Sequence, residues 1–243
     1  MINFDLNGQR IKAVIKKELL WYFSNPGGFI LIALFVGFSN FLFFGDFFIN
    51  NNATLRPYFL ILPWLIIFLA AGVSMRAFSE ERRNGTLEVL LSLPLTEWEL
   101  VLGKFAASLI FLMICLLGST TLVLTLFLSG QPDIGTIFSG YVGAMFFSAA
   151  LLSVGIFISA LTKNQVVSLL STILAFFLLI VLGEGFILQQ VPKILTTPLT
   201  LIAFSAHLSS FSRGVIDVRD VIFFLTVTFA FIFLSVKITE NRG

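Results

Sequence analysis

Six apolar runs, each about twenty residues long, constrain what this chain can fold into more than any other feature. They fall at 28–48, 58–78, 105–128, 137–161, 166–188 and 221–237, and most of the charge lies in the segments between them. A hydrocarbon core of roughly 30 Å is crossed by about 20 helical residues rising ~1.5 Å each, so every run has the length of one crossing. Backbone N–H and C=O groups in lipid must be bonded within the structure, which leaves only helices or a closed barrel. Continuous apolar runs without period-two alternation select helices. The expected fold is therefore all-α, a polytopic membrane protein with six transmembrane helices. Composition agrees: with 58% hydrophobic and 12% charged residues among 243, there is too little polar surface to coat a water-soluble globule.

Several chemistries are excluded at this level. Cys115 is the single cysteine, so neither an intrachain disulfide nor a thiolate metal cluster can form, and His207 is the single histidine. A phosphate-cradling loop needs Gly-x-x-x-x-Gly-Lys followed by Ser or Thr. The one Gly-Lys pair, Gly103-Lys104, is followed by Phe105, and Trp98 stands where the first glycine should be. No cofactor site is expected in this chain, and it is not expected to be an enzyme. The net charge of +2 gives no sign of a nucleic-acid partner. No cleavable leader pattern precedes Pro26, so the first span is expected to act as the insertion signal.

Within 7–26, Ile11, Val14, Ile15, Leu19 and Tyr22 recur at helical spacing among Arg10, Lys12, Lys16 and Lys17. That pattern describes a basic amphipathic helix on a membrane surface, broken by Asn25, Pro26 and Gly27. Lysine and arginine concentrate in the segments on one side, which the positive-inside bias places in the cytoplasm. Both termini and the 79–100 loop are expected there, with 189–220 facing outward as one or two interfacial or re-entrant helices.

The stretch from Met75 to Lys104 carries Arg76, Glu80, Glu81, Arg82, Arg83, Glu88, Glu97, Glu99 and Lys104 in a chain with very few charges. Asn84-Gly85 signals a turn, and Thr86 can cap a short helix with Glu88 in its first turn. Leu87, Leu90 and Leu91 share a face of that helix, and Pro94 ends it. Thr96 with Glu99 three residues on makes a capping box that opens the helix running through Lys104. The pattern places a short amphipathic helix just beneath the membrane between the second and third spans.

The order of these words, an acidic-basic cluster, Gly-Thr-Leu-Glu, a leucine pair, a proline, then Glu and Gly-Lys at the next span, resembles permease subunits of ABC-2 type transporters. Within that family the chain is similar to compact six-span permeases of gliding motility and of copper-enzyme maturation. The resemblance extends to Lys17-Glu18 in the first helix, which corresponds to the elbow helix of such permeases, and to the stretch HLSSFSRGVIDVRDVIFF before the last span. It implies a coupling helix that docks on a separate ATP-binding subunit through Glu80, Glu81, Arg82, Arg83, Gly85, Thr86, Leu87, Glu88, Leu90, Leu91 and Pro94. It also implies that ATP and Mg are bound by that partner, that a second permease copy or a related permease completes the unit, and that the bacterial cytoplasmic (inner) membrane houses it. The function implied is ATP-driven transport, with export as the direction. Two alternatives come from other classes: an ATP-independent secondary transporter or channel, which calls for ionisable groups near mid-membrane, and a membrane scaffold that anchors a partner complex.

Glu184, between Gly183 and Gly185 at the outer end of the fifth run, is the candidate polar site within the membrane, since the glycines permit close approach of a neighbouring helix. Asp46 and His207 read as interfacial residues. Trp64 and the 30 phenylalanines can line a greasy path or face lipid. Gly140, Gly143, Ser148, Ala149, Ala150, Ser153 and Gly155 give the fourth span small surfaces suited to tight helix packing.

Overall fold

The computed structural model describes residues 7–50, 54–86, 90, 92, 94–130, 132–190 and 192–240. Among these the chain is helical, with no strand. The helices are α1 (Gly8–Ser24), α2 (Pro26–Asn50), α3 (Arg56–Ser74), α4 (Ser79–Arg83), α5 (Glu97–Gly118) and α6 (Thr120–Ser129). They continue with α7 (Ile134–Leu161), α8 (Gln165–Val181), α9 (Gly185–Leu188), α10 (Lys193–Ile202), α11 (Phe204–Phe211) and α12 (Val218–Glu240). Among the described residues five helical stretches are long and apolar enough to cross a membrane: Pro26–Phe48, Arg56–Arg83, Glu97–Ser129, Ile134–Leu161 and Val218–Glu240.

The fifth apolar run differs from its reading as 166–188. Its helix, α8, has 17 residues and stops at Val181, a length of ~26 Å at the usual rise. Leu182 and Gly183 turn, and α9 restarts at Gly185. The glycines act differently from one another. A Cβ on Gly183 would collide with Ser205 and Ala203 where α11 crosses, whereas one on Gly185 would meet nothing. Close approach therefore needs Gly183 alone.

Helix α7 sits at the centre, packed against α3, α5, α8, α11 and α12. Its small residues are the reason. Gly140 faces the Phe59 ring, Gly143 faces Phe211 and Gly155 faces Ser74, each so closely that an added Cβ would overlap its neighbour. Ser139 also donates to the Phe211 carbonyl at 2.7 Å. The outer faces are apolar in the manner lipid requires: α2 exposes Phe29, Ile30, Leu34, Phe38 and Phe41, and α8 exposes Val166, Leu170, Leu174 and Phe177.

The third span is interrupted between α5 and α6. Ser119 donates to the Leu116 carbonyl at 2.7 Å and shares a hydrogen bond with the Tyr141 hydroxyl at 3.0 Å. A side chain bonding back onto the preceding turn competes with the helix ladder and bends the chain.

Before the last helix the chain returns into the bundle. Phe204, Leu208 and Phe211 of α11 are buried, and the Phe204 ring meets Phe147 of α7 edge-on at 6.0 Å. Within the 189–220 segment, α11 packs inward on the central helix α7. His207 ties α11 to the last helix. Its Nδ1 lies 2.7 Å from Asp220 Oδ1, its Nε2 lies 3.2 Å from the Leu201 carbonyl, and its ring stacks on Phe223 at 3.9 Å.

Candidate functional site

The charged side chains gather at one end of the bundle, where α1, α4 and the first turns of α5 meet. Helix α1 buries Val14, Glu18 and Tyr22, one turn apart on a single face, and that face lies on α5. Gly103 of α5 makes the approach feasible, since a Cβ there would stand 2.7 Å from Val14. Two turns further on, the Tyr22 ring stacks on Phe111 at 4.5 Å and its hydroxyl donates to the Val73 carbonyl at 3.2 Å.

Glu18 sits in the middle of this buried face, and a carboxylate there must be paired. Its partner is Lys104, 2% exposed, whose ammonium lies 3.0 Å from Glu18 Oε1 and 2.7 Å from Glu81 Oε1. Lys17 adds a second cation from the rim, 3.1 Å from Glu81 and 3.6 Å from Glu18. Arg76 lies over the Trp21 ring and pairs with Glu80 at 3.4 Å. Burial pushes the Glu18 carboxyl up, but the charges of Lys104, Lys17 and Arg76 outweigh it and hold the group below its ordinary value of 4.5. One ammonium thus ties the elbow helix, α4 and α5 together.

A second set of bonds fixes this group to α7. Ser159 Oγ accepts from the Phe78 and Ser79 backbone N–H groups, each at 3.1 Å, and donates to the Met75 carbonyl at 3.1 Å. Arg82 donates to the Ala160 carbonyl at 2.6 Å. The backbone between α3 and α4 therefore rests on the last turn of α7. After α4 the chain turns at Asn84-Gly85, where Gly85 has φ +69°, a left-handed conformation that favours glycine. Thr86 Oγ1 donates back to the Glu81 carbonyl at 3.3 Å.

The capping box that opens α5 is complete. Thr96 Oγ1 accepts from Glu99 N at 3.3 Å, and Glu99 Oε2 accepts from Thr96 N at 2.9 Å. Glu99 Oε1 also accepts from Asn7 N at 2.8 Å, and Arg10 stands 3.6 Å from Oε2. One fully buried carboxylate caps α5 and holds the start of α1 beside it.

Beneath these contacts opens a cleft of about 400 Å³, lined by Trp21, Arg76, Glu80, Glu81, Leu90 and Lys104 among others. Arg76 Nη1 and Glu81 Oε2 are buried at it without hydrogen-bond partners among the described residues. Among the described residues no three His, Cys, Asp or Glu side chains converge as metal ligands.

A family model for ABC-2 family transporter proteins matches residues 9–241, from the first turn of α1 to just past α12. The chain belongs to the ABC-2 transporter family. This ABC-2 chain is similar to the probable multidrug ABC transporter permease YbhS of Escherichia coli strain K12, with 26% identity over 208 residues. The protein of that name in E. coli O157:H7 matches equally. The alignment covers 79% of this chain and 54% of either relative, so the chain spans about half the length of the curated relatives it matches.

In the ABC-2 chain, the residues that sequence reasoning assigned to coupling are distributed unevenly. Glu80, Glu81 and Arg82 are half-buried in the contacts above, while Arg83, Gly85, Thr86 and Pro94 are exposed. Leu90 is half-buried at the cleft. Leu87, Glu88 and Leu91 lie outside the described residues. Lys17 and Glu18 of the elbow join Glu81 directly and through Lys104, whereas Glu184 belongs to another part of the fold, between α8 and α9. Trp21, Arg76, Ser159 and Lys104 belong to the site although none was among the residues expected for it. Glu18 carried a usable signal, because a carboxylate four residues from both Val14 and Tyr22 needs a buried cation. Ser159 carried none, being one serine in an apolar run.

Proposed function

We propose that this ABC-2 chain is the permease subunit of an ATP-binding-cassette transporter, moved by a separate nucleotide-binding subunit that holds ATP and Mg. The observation that carries the reading is Lys104, buried between Glu18 of the elbow helix and Glu81 of α4. With Ser159 and Arg82 fastening the same segment to α7, a push on the 79–100 loop is delivered to α1, α5 and the central helix as one body. A loosely tethered loop would dissipate it. In this reading the segment from Glu80 to Pro94 is the coupling surface for the ATPase, with both termini on the same cytoplasmic side.

A second permease, identical or related, completes the translocation unit in the inner membrane, and the direction proposed is export. The multidrug description of the curated relatives supports a small-molecule cargo. Affinity purification of the chain from its native membrane should retain an ATP-binding-cassette ATPase. Alanine at Arg83 or Glu88 should then lower transport per ATP hydrolysed. Transport by the purified chain without an ATPase, or unchanged coupling in both variants, overturns the proposal.

A further inference from the structure

The second cleft of interest lies away from the charged end. It has a volume of about 290 Å³ and is bounded by Phe59 and Trp64 of α3, Ile180 of α8, Glu184, and Ser205 and Leu208 on the helix that re-enters the bundle. Its walls do not explain themselves as packing. Ser205 donates to the Ile180 carbonyl at 3.1 Å, so its hydroxyl is occupied, and Gly183 packs on Ser205 and Ala203. Together these hold the turn after α8 against α11 and set the position of Glu184. Among the described residues the Glu184 carboxylate has no salt-bridge partner and no side-chain hydrogen bond, and it does not cap α9. A half-buried carboxylate without a partner, at a cleft with a tryptophan and a phenylalanine in its wall, attracts a cation and rejects an anion. The aromatic faces, negative at their centres, act in the same sense and also cover apolar surface.

We propose that this cleft binds a monovalent organic cation with an apolar body, Glu184 facing its charge and Trp64 with Phe59 its hydrocarbon. The volume suits a compact molecule, being at the small end of ligand clefts, about 300–1,000 Å³. This deepens the permease reading by naming a chemical class of cargo and rests on that reading only for the word cargo. Binding itself requires neither ATP nor a second subunit.

The test uses the full chain in nanodiscs of phosphatidylglycerol, which carries no ammonium headgroup, with phenyltrimethylammonium as probe and tert-butylbenzene as its neutral isostere. Phenyltrimethylammonium should bind saturably, and Glu184→Gln should weaken it roughly tenfold, the scale of one carboxylate-cation contact in a half-desolvated site. The neutral compound should be indifferent to Glu184→Gln, and Trp64→Leu should weaken both. Among the described residues the Glu184 side chain has no hydrogen bond or ion pair, and its backbone bonds to Val181 and Ile187 are kept in Glu184→Gln, so that variant should melt with the wild type. Binding of the cation that is unsaturable, or saturable but unchanged in Glu184→Gln, overturns the proposal. So does displacement of the probe when phosphatidylethanolamine is added, because the site would then belong to lipid ammonium groups. Any of these results leaves the ATPase co-purification untouched, and loss of the ATPase leaves this binding measurement intact.

Discussion

Replacing Lys104 by methionine should be the most damaging single change at the charged end. The side chain is 2% exposed and its ammonium stands 3.0 Å from Glu18 and 2.7 Å from Glu81. Methionine keeps most of the volume and removes the charge, leaving two nearby carboxylates. Deleting one partner of a buried ion pair costs about 3–5 kcal/mol, chiefly through the charge left behind. Lys17 remains 3.1 Å from Glu81 and 3.6 Å from Glu18, so part of the loss is offset and the low end, about 3 kcal/mol, is expected. At about 2–4 °C per kcal/mol for a chain of this size, thermal unfolding in detergent should shift down by roughly 6–12 °C. The decisive arm is the triple variant Lys104→Met, Glu18→Leu, Glu81→Leu. If the penalty is an orphaned charge, removing the carboxylates as well should restore most of the stability. A single variant that melts with the wild type, or a triple variant less stable than the single one, would refute the reasoning.

Other expectations follow from the same geometry. Since the Glu18 carboxyl titrates below its ordinary value of 4.5, the α1–α5 contact should be at full strength above that value and weaken as pH falls through the lower folded value. The protection factors of α1 amides, taken relative to the intrinsic exchange rate at each pH, should fall on acidification below 4.5 in the wild type and much less in Glu18→Gln. Ser159→Ala leaves the buried Phe78 and Ser79 N–H groups without their acceptor, costing about 1–3 kcal/mol, and should reduce transport per ATP before it abolishes folding. Gly143→Leu should destabilise the bundle by about 1–3 kcal/mol or more, read by thermal unfolding, because its Cβ would overlap Phe211. Thr96→Ala should cost about 0.5–2 kcal/mol and raise exchange in the first turn of α5, where the capping box lies.

Much of this architecture could be read before any coordinates. Apolar run length placed the long helices, Thr96 with Glu99 three residues on placed the capping box, and Asn84-Gly85 placed the turn, because each signal depends on residues close together in sequence. The small residues of the central helix were also legible, since close packing needs them wherever the partners lie. The motif order from Glu80 to Pro94 pointed to the family that the match over residues 9–241 establishes.

What tertiary structure alone decided is who meets whom. Lys104 finds Glu18 across 86 positions and Phe78 finds Ser159 across 81, and no periodicity in a sequence encodes such distances. The end of α8 at Val181 and the return of α11 into the core were decided the same way, by Gly183 packing on Ser205 and by Phe204 reaching Phe147. In lipid the hydrophobic effect does not choose between apolar neighbours, so sequence specifies which segments cross, while shape fit and buried polar pairs specify how they assemble.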